Sequence, residues 1–172
     1  MNAILWPEKY TPGTTDNFVS NEVIVKGLTA AEVWEYLNDT TYWPSYYKNV
    51  SKISFNGATG PKLSADLDFH FTTFVFPVQA HVTEYVPPTN GEPARLAWSG
   101  LIAGDENNKL DVLHAWLIED LPGERVRVLT QESQIGKPAR EMAVAKPNPM
   151  LNAHQDWLDG LTRTALEKKS NK

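Results

Sequence analysis

The feature that most constrains this chain is one long amphipathic helix that follows a series of strands. From Pro149 to about Lys168, apolar positions recur at spacings of three and four. This stripe consists of Met150, Leu151, His154, Trp157, Leu158, Leu161 and Ala165. Because the preceding chain is rich in strand patterns, we expect the stripe to pack on a sheet. An imidazole, that of His154, would then face the sheet.

Turn residues divide the region before this helix into segments that are typical of strands. Residues 17–26 alternate apolar and polar side chains and predict the first strand. Six more strands are predicted at residues 50–55, 62–72, 76–85, 94–101, 110–119 and 125–134. The Asn-Gly, Pro-Pro and Pro-Gly pairs between them leave short connections, which favour an antiparallel sheet over parallel βαβ units.

Two short helices are predicted between the first and second strands. Thr29-Ala-Ala-Glu32 has the form of a capping box, and Tyr42 to Tyr47 is a second, aromatic segment. Residues 138–146 are expected to form a short helical or irregular lead into the last helix. The predicted class is α+β: a seven-stranded curved antiparallel sheet wrapped around a long C-terminal helix, with two short helices after the first strand. This order is that of the helix-grip fold.

Composition and charge restrict the classes of partner. With 172 residues and 41% hydrophobic residues, the chain is long enough to bury one core. A net charge of -5 without a basic cluster argues against nucleic-acid binding. Cysteine is absent, which excludes disulfides and thiolate chemistry. Neither a signal segment nor an apolar run of membrane-spanning length is present, so a cytoplasmic protein is expected.

Strand parity brings ionisable side chains to one side of the predicted sheet. His114 shares a face with Trp116, and Thr130 and Glu132 share a face with inward valines. Both rows would face the helix that carries His154. A carboxylate in an apolar hollow prefers its neutral form, and a nearby imidazole can share its proton. We therefore predict that His114, Glu132 and His154 are catalytic acid–base groups or orient a polar ligand group.

Other interpretations remain open for these residues. A histidine on an apolar stripe is often a hydrogen-bonded core residue, and an inward glutamate can reach solvent or pair with a histidine. The predicted ligand contacts are Phe69, Trp98, Trp116, Thr130, Met150 and Trp157, although the tryptophans could serve packing alone. Phosphate-loop, zinc-protease and α/β-hydrolase motifs are absent. No ligand spacing supports a metal site, and we expect neither a metal nor a cofactor.

Several sequence segments resemble the polyketide cyclase/dehydrase branch of the START-like SRPBCC superfamily, which includes the birch-pollen-type allergens. The similar segments are Trp34 to Pro44, Gly60, Glu84-Tyr-Val-Pro-Pro88, Arg95-Leu-Ala-Trp98 and the terminal helix. The resemblance implies a START-like domain over about residues 16–168. Residues 1–15 hold two prolines and a glycine without a periodic pattern and are expected to form an extended lead, and residues 169–172 a disordered tail. Relatives in this superfamily bind lipids, hormones or quinones, and some close polyketide rings.

Two functions follow from the residues and the resemblance together. The first is binding of a small, mainly hydrophobic or amphipathic molecule in a cavity between the sheet and the last helix. The second is a cyclase, aromatase or dehydrase that uses the same histidines and glutamate as acid and base. An interaction module on the outer sheet face has no positive support. The sequence leaves the identity of the ligand and the oligomeric state open.

Overall fold

The computed structural model describes residues 1–57 and 59–171, and its main element is one antiparallel sheet. The strands are β1 (Asn17–Lys26), β2 (Val50–Phe55), β3 (Asp68–Thr73), β4 (Phe76–Val86), β5 (Ala94–Ile102), β6 (Leu110–Leu121) and β7 (Arg125–Ile135). Their order across the sheet is β1-β7-β6-β5-β4-β3-β2. Consecutive strands from β2 to β7 are joined as neighbours, so the predicted seven-stranded antiparallel sheet is confirmed.

Four α-helices complete the described part of the chain. They are α1 (Ala30–Asn38), α2 (Trp43–Tyr46), α3 (Lys137–Val144) and α4 (Pro149–Ser170). The capping box at the start of α1 is present, because the Thr29 hydroxyl accepts a hydrogen bond from the Glu32 amide and the Glu32 carboxylate accepts one from the Thr29 amide. The two helices α1 and α2 connect the opposite edges of the sheet.

The long helix α4 packs against β1, β7, α1 and α2, which is the helix-grip arrangement. Leu158 and Leu161 are completely buried, as the stripe predicts. Leu151 is the exception, since 40% of its surface remains exposed. It lies in the first turn of α4, where its backbone carbonyl accepts a hydrogen bond from the Asn21 side chain.

The N-terminal residues lie along the outer face of the sheet. Ile4 is buried against Leu117 and Leu129, and Trp6 packs on the same cluster. Arg127 fixes this segment by donating hydrogen bonds to the backbone carbonyl of Asn2 and to the carboxylate of Glu119. The outward side chains of the central strands are therefore covered by the chain itself.

Several predicted boundaries differ from the structure, and the largest difference is at the start of β3. Strand β3 begins at Asp68 rather than at residue 62, because Lys62 forms only an isolated bridge with Asp39 before the chain turns. Helix α4 ends at Ser170, two residues beyond the predicted helix end at Lys168, because Lys169 forms an ion pair of 2.9 Å with Glu32 of α1. Residue 172 of the predicted tail lies outside the described residues. No described helix is both long enough and apolar enough to cross a membrane.

Candidate functional site

A cavity of about 540 Å³ lies between the inner face of the sheet, α3 and the first turns of α4. Its inner end is lined by buried residues, including Trp98, His114, Glu132, His154 and Trp157. Its outer end is lined by residues of the β3–β4 turn, the tip of β5 and β6, and α3, and several of these are exposed. The cavity is thus an apolar space whose deepest wall carries ionisable groups.

The pairing of β5, β6 and β7 places the first two ionisable groups at this inner wall. His114 on β6 lies directly opposite Glu132 on β7, and its other neighbour across the sheet is Trp98 on β5. Residues opposite each other in an antiparallel pair project to the same face, so all three side chains point into the cavity. Helix α4 supplies the third group, His154, from the other side.

Glu132 lies between the two histidines. Its Oε2 atom is 3.2 Å from His154 Nε2 and 3.4 Å from His114 Nδ1. The two imidazole rings are stacked, with centroids 4.3 Å apart and planes inclined by 6°. The His114 Nε2 atom is 2.8 Å from the hydroxyl of Thr130. All three ionisable residues are at least nine-tenths buried.

Burial sets the protonation of two groups in this wall. It lowers the pKa of His114 well below the usual 6.5, and the nearby His154 lowers it further. A neutral His114 that directs Nδ1–H to Glu132 leaves Nε2 free to accept a hydrogen bond from the Thr130 hydroxyl. Burial also raises the pKa of Tyr47 to about 12, so this cavity-lining phenol stays protonated at neutral pH.

A chain of side-chain amides leads from the start of α4 to Glu132. The Gln134 amide donates a hydrogen bond to Glu132 Oε1, and the Asn17 amide donates to Gln134 Oε1 at 2.7 Å. The Asn148 amide donates in turn to Asn17 Oδ1 at 2.9 Å, while Asn148 Oδ1 accepts from the Met150 amide as the helix N-cap. Every amide is oriented with its N–H groups towards the carboxylate. The chain therefore fixes the position of the Glu132 carboxylate and connects it to the helix start.

The structure separates the predicted ligand contacts into two groups. Trp98, Met150 and Trp157 line the cavity, together with His114, Glu132 and His154. The other three, Phe69, Trp116 and Thr130, do not line it and are completely or almost completely buried.

Each of these three residues lies behind another side chain. Phe69 is covered by the rings of Trp43 and Trp98. Trp116 packs beneath His114, with ring centroids 5.2 Å apart, and Thr130 is hydrogen-bonded to the same histidine. Strand parity gives the face of a side chain but not its depth, and for this reason these residues were predicted as contacts.

Some members of the site were not singled out from the sequence. Gln134 has the same parity as Glu132 and was assigned inward, yet its amide gave no indication of a role. Tyr47 stacks on Trp157, with ring centroids 4.4 Å apart, although its segment suggested only packing. Asn17 occupies a buried position in an alternating strand, and a buried amide requires a partner. That requirement was the only available sequence signal.

The two histidines and the glutamate also form a group of possible metal ligands, since their ligand atoms all lie within 4.8 Å of one another. An imidazole binds a metal through a lone pair in the plane of its ring. Because the rings of His114 and His154 are almost parallel, their planes do not meet at a common ion. The arrangement as it stands is suited to proton sharing through Glu132, and a metal would require at least one ring to rotate.

Comparisons with solved structures show where this fold recurs. A hypothetical protein from Helicobacter pylori is 48% identical, with a TM-score of 0.91 over 96% of this chain and 97% of that one. Truncated norcoclaurine synthase from Thalictrum flavum is 11% identical, with a TM-score of 0.63 over 88% of this chain and 94% of that one. The di-domain ARO/CYC BexL of the BE-7585A biosynthetic pathway is 10% identical, with a TM-score of 0.62 over 91% of this chain and 48% of that one. Neither the protein-family models nor the curated proteins give a match.

Proposed function

We propose that this chain, which belongs to the same family as the Helicobacter pylori protein and has the fold of the START-like SRPBCC superfamily, binds a small, mainly hydrophobic molecule in the cavity under α4. The observation that carries the proposal is the cavity itself. It has a volume of about 540 Å³, within the range of sites for small organic ligands. Its walls are mostly apolar, with a few polar groups at one end. In such sites the apolar walls supply most of the affinity, and the polar groups fix the orientation of the ligand.

The inner aromatic residues give such a ligand a rigid surface. Trp157 stacks on Tyr47 and meets Trp98 at a centroid distance of 6.1 Å. These rings are already held in place by neighbouring rings, so little conformational entropy is lost when a ligand packs on them. The apolar body of the ligand would lie on these rings, and its polar group would meet His114, Glu132 or His154.

A neutral fluorescent dye, phenylnaphthylamine, tests this proposal. The dye should bind with one site per chain and with increased emission. Val112 projects into the cavity from β6, so Val112→Phe should take up part of the space and weaken binding. The matched control is Ile24→Phe on the exposed side of β1, which should leave binding unchanged. If the wild-type protein does not bind the dye, or if Val112→Phe binds it equally well, the proposal is wrong.

Catalysis is the second candidate, and one observation favours it. A carboxylate shared by two buried imidazoles can move a proton between them, and it lies in a cavity that could hold a substrate. The solved structures with this fold include a protein named as an ARO/CYC and a norcoclaurine synthase. Proton transfer by Glu132 and His154 would then act on a carbonyl or hydroxyl at the inner end.

Native mass spectrometry of the freshly purified protein distinguishes these functions. A molecule that co-purifies would be identified, returned to the protein and followed over time. If the molecule is released unchanged, the protein is a carrier. If it is converted by the wild-type protein but not by Glu132→Gln, the protein is an enzyme.

A further inference from the structure

The charged residues of the cavity wall are all of one sign, and this restricts the ligand. Among the described residues that line the cavity, Glu132 is at the inner end and Glu141 is at the exposed end, whereas lysine and arginine are absent. The inference drawn from this rests on the proposed function, because it concerns the ligand of that same cavity.

Nitrogen atoms of three side chains at the inner end lie close to the carboxylate of Glu132. Gln134 donates to Oε1, and both imidazoles have a nitrogen within 3.4 Å of Oε2. A carboxylate has about four acceptor positions, so about one remains after these three contacts. The inner end therefore offers a ligand an acceptor and a negative charge, with no positively charged side chain of lysine or arginine to bind an anion.

The aromatic wall of the cavity brings two tryptophans close to this acceptor. Trp98 and Trp157 lie beside this acceptor, and their rings contact that of His114 at centroid distances of 4.8 and 5.5 Å. An anion in this position would meet the carboxylate at short range, with little solvent to screen the repulsion.

From these observations we infer that the cavity selects ligands whose buried end is a hydrogen-bond donor without negative charge, a hydroxyl or an ammonium group. Carboxylates and phosphates, fatty acids included, are excluded from the inner end. Glu132 is the residue that determines this specificity, and the chain of amides from Asn148 holds its carboxylate in position.

Three probes with the same ring system test the inference by isothermal titration calorimetry at neutral pH: naphthylmethanol, naphthylmethylamine and naphthoic acid. The alcohol and the amine should bind at least about tenfold more tightly than the acid, because only the acid brings a second negative charge next to Glu132. An acid that binds as tightly as either of the others overturns the inference. This comparison uses the wild-type protein and does not depend on any variant folding.

Two matched variants test whether the charge of Glu132 causes this difference in affinity. Glu132→Gln keeps the shape of the side chain and removes its charge, so the difference in affinity between amine and acid should fall to about threefold or less. Glu167→Gln makes the same change at an exposed position of α4 that does not line the cavity, and it should keep the wild-type selectivity. Unchanged selectivity in Glu132→Gln overturns the inference.

The neutral dye separates this inference from the proposed function. If the dye binds while none of the three probes does, the inference about the polar end is wrong and the binding function stands. If the dye itself does not bind, the proposed function fails.

Discussion

Acidification should destabilise the protein through one buried histidine. His114 is 3% exposed, and burial holds its pKa well below 6.5. In the unfolded chain the same imidazole has a pKa of about 6.5 and gains a proton as the pH falls. The unfolded state then binds more protons than the folded state, so stability is fully present above about pH 6.5 and is lost as the pH falls towards the pKa of the folded state. For a histidine that stays neutral when folded, the loss between about pH 7 and about pH 5 is about 2 kcal/mol.

Urea unfolding at both pH values measures this loss. His114→Gln removes the titrating group while keeping an amide that can bond to Thr130, so the acid-induced loss should be smaller than in the wild-type protein by about 2 kcal/mol. The control is His70→Gln, which removes an exposed imidazole and should retain the wild-type loss. If the wild-type protein and His114→Gln lose the same stability, the histidine is not held neutral by burial and the electrostatic reasoning is wrong.

Further predictions concern packing and the site. Leu161→Ala should lower the free energy of unfolding by about 2–5 kcal/mol because the side chain is completely buried, whereas Leu166→Ala, 37% exposed, should cost clearly less. Gly160→Ala should destabilise by about 1–3 kcal/mol, although alanine normally favours a helix, because the new Cβ would lie 2.2 Å from a backbone oxygen of α2; a gain in stability would contradict the observed helix contact. Glu132→Gln and His154→Ala should weaken naphthylmethylamine binding with little change in melting temperature, and the reverse result would assign the cluster to folding alone. Because the two imidazole planes are nearly parallel, added Zn²⁺ should leave the melting temperature unchanged.

The repeating pattern of the sequence was sufficient to predict the architecture. Alternation and turn pairs located all seven strands, and the apolar stripe located α4. Both patterns could be recognised because they involve only residues that are close together along the chain. Parity also placed His114 and Glu132 on the inner face. These two residues are opposite each other in the sheet, a register that a regular antiparallel ladder makes predictable from the two strands and their short connection.

Depth within the core was not predictable in this way. Phe69, Trp116 and Thr130 have the inward parity of cavity residues, yet each lies beneath another side chain. Whether an inward residue touches a cavity or is covered depends on the volumes of side chains from other strands and from α2. Trp43, for example, fills the space above Phe69 from a distant part of the chain.

The sequence by itself therefore determined which elements form and which faces are apolar, because those properties arise from local periodicity. Only the tertiary structure decided that His154 of α4 shares a carboxylate with His114, and that amides from Asn17 and Asn148 support it. These contacts join residues more than a hundred positions apart in several cases. Their geometry depends on how α4 lies across the sheet, and that position results from the summed packing of the whole core.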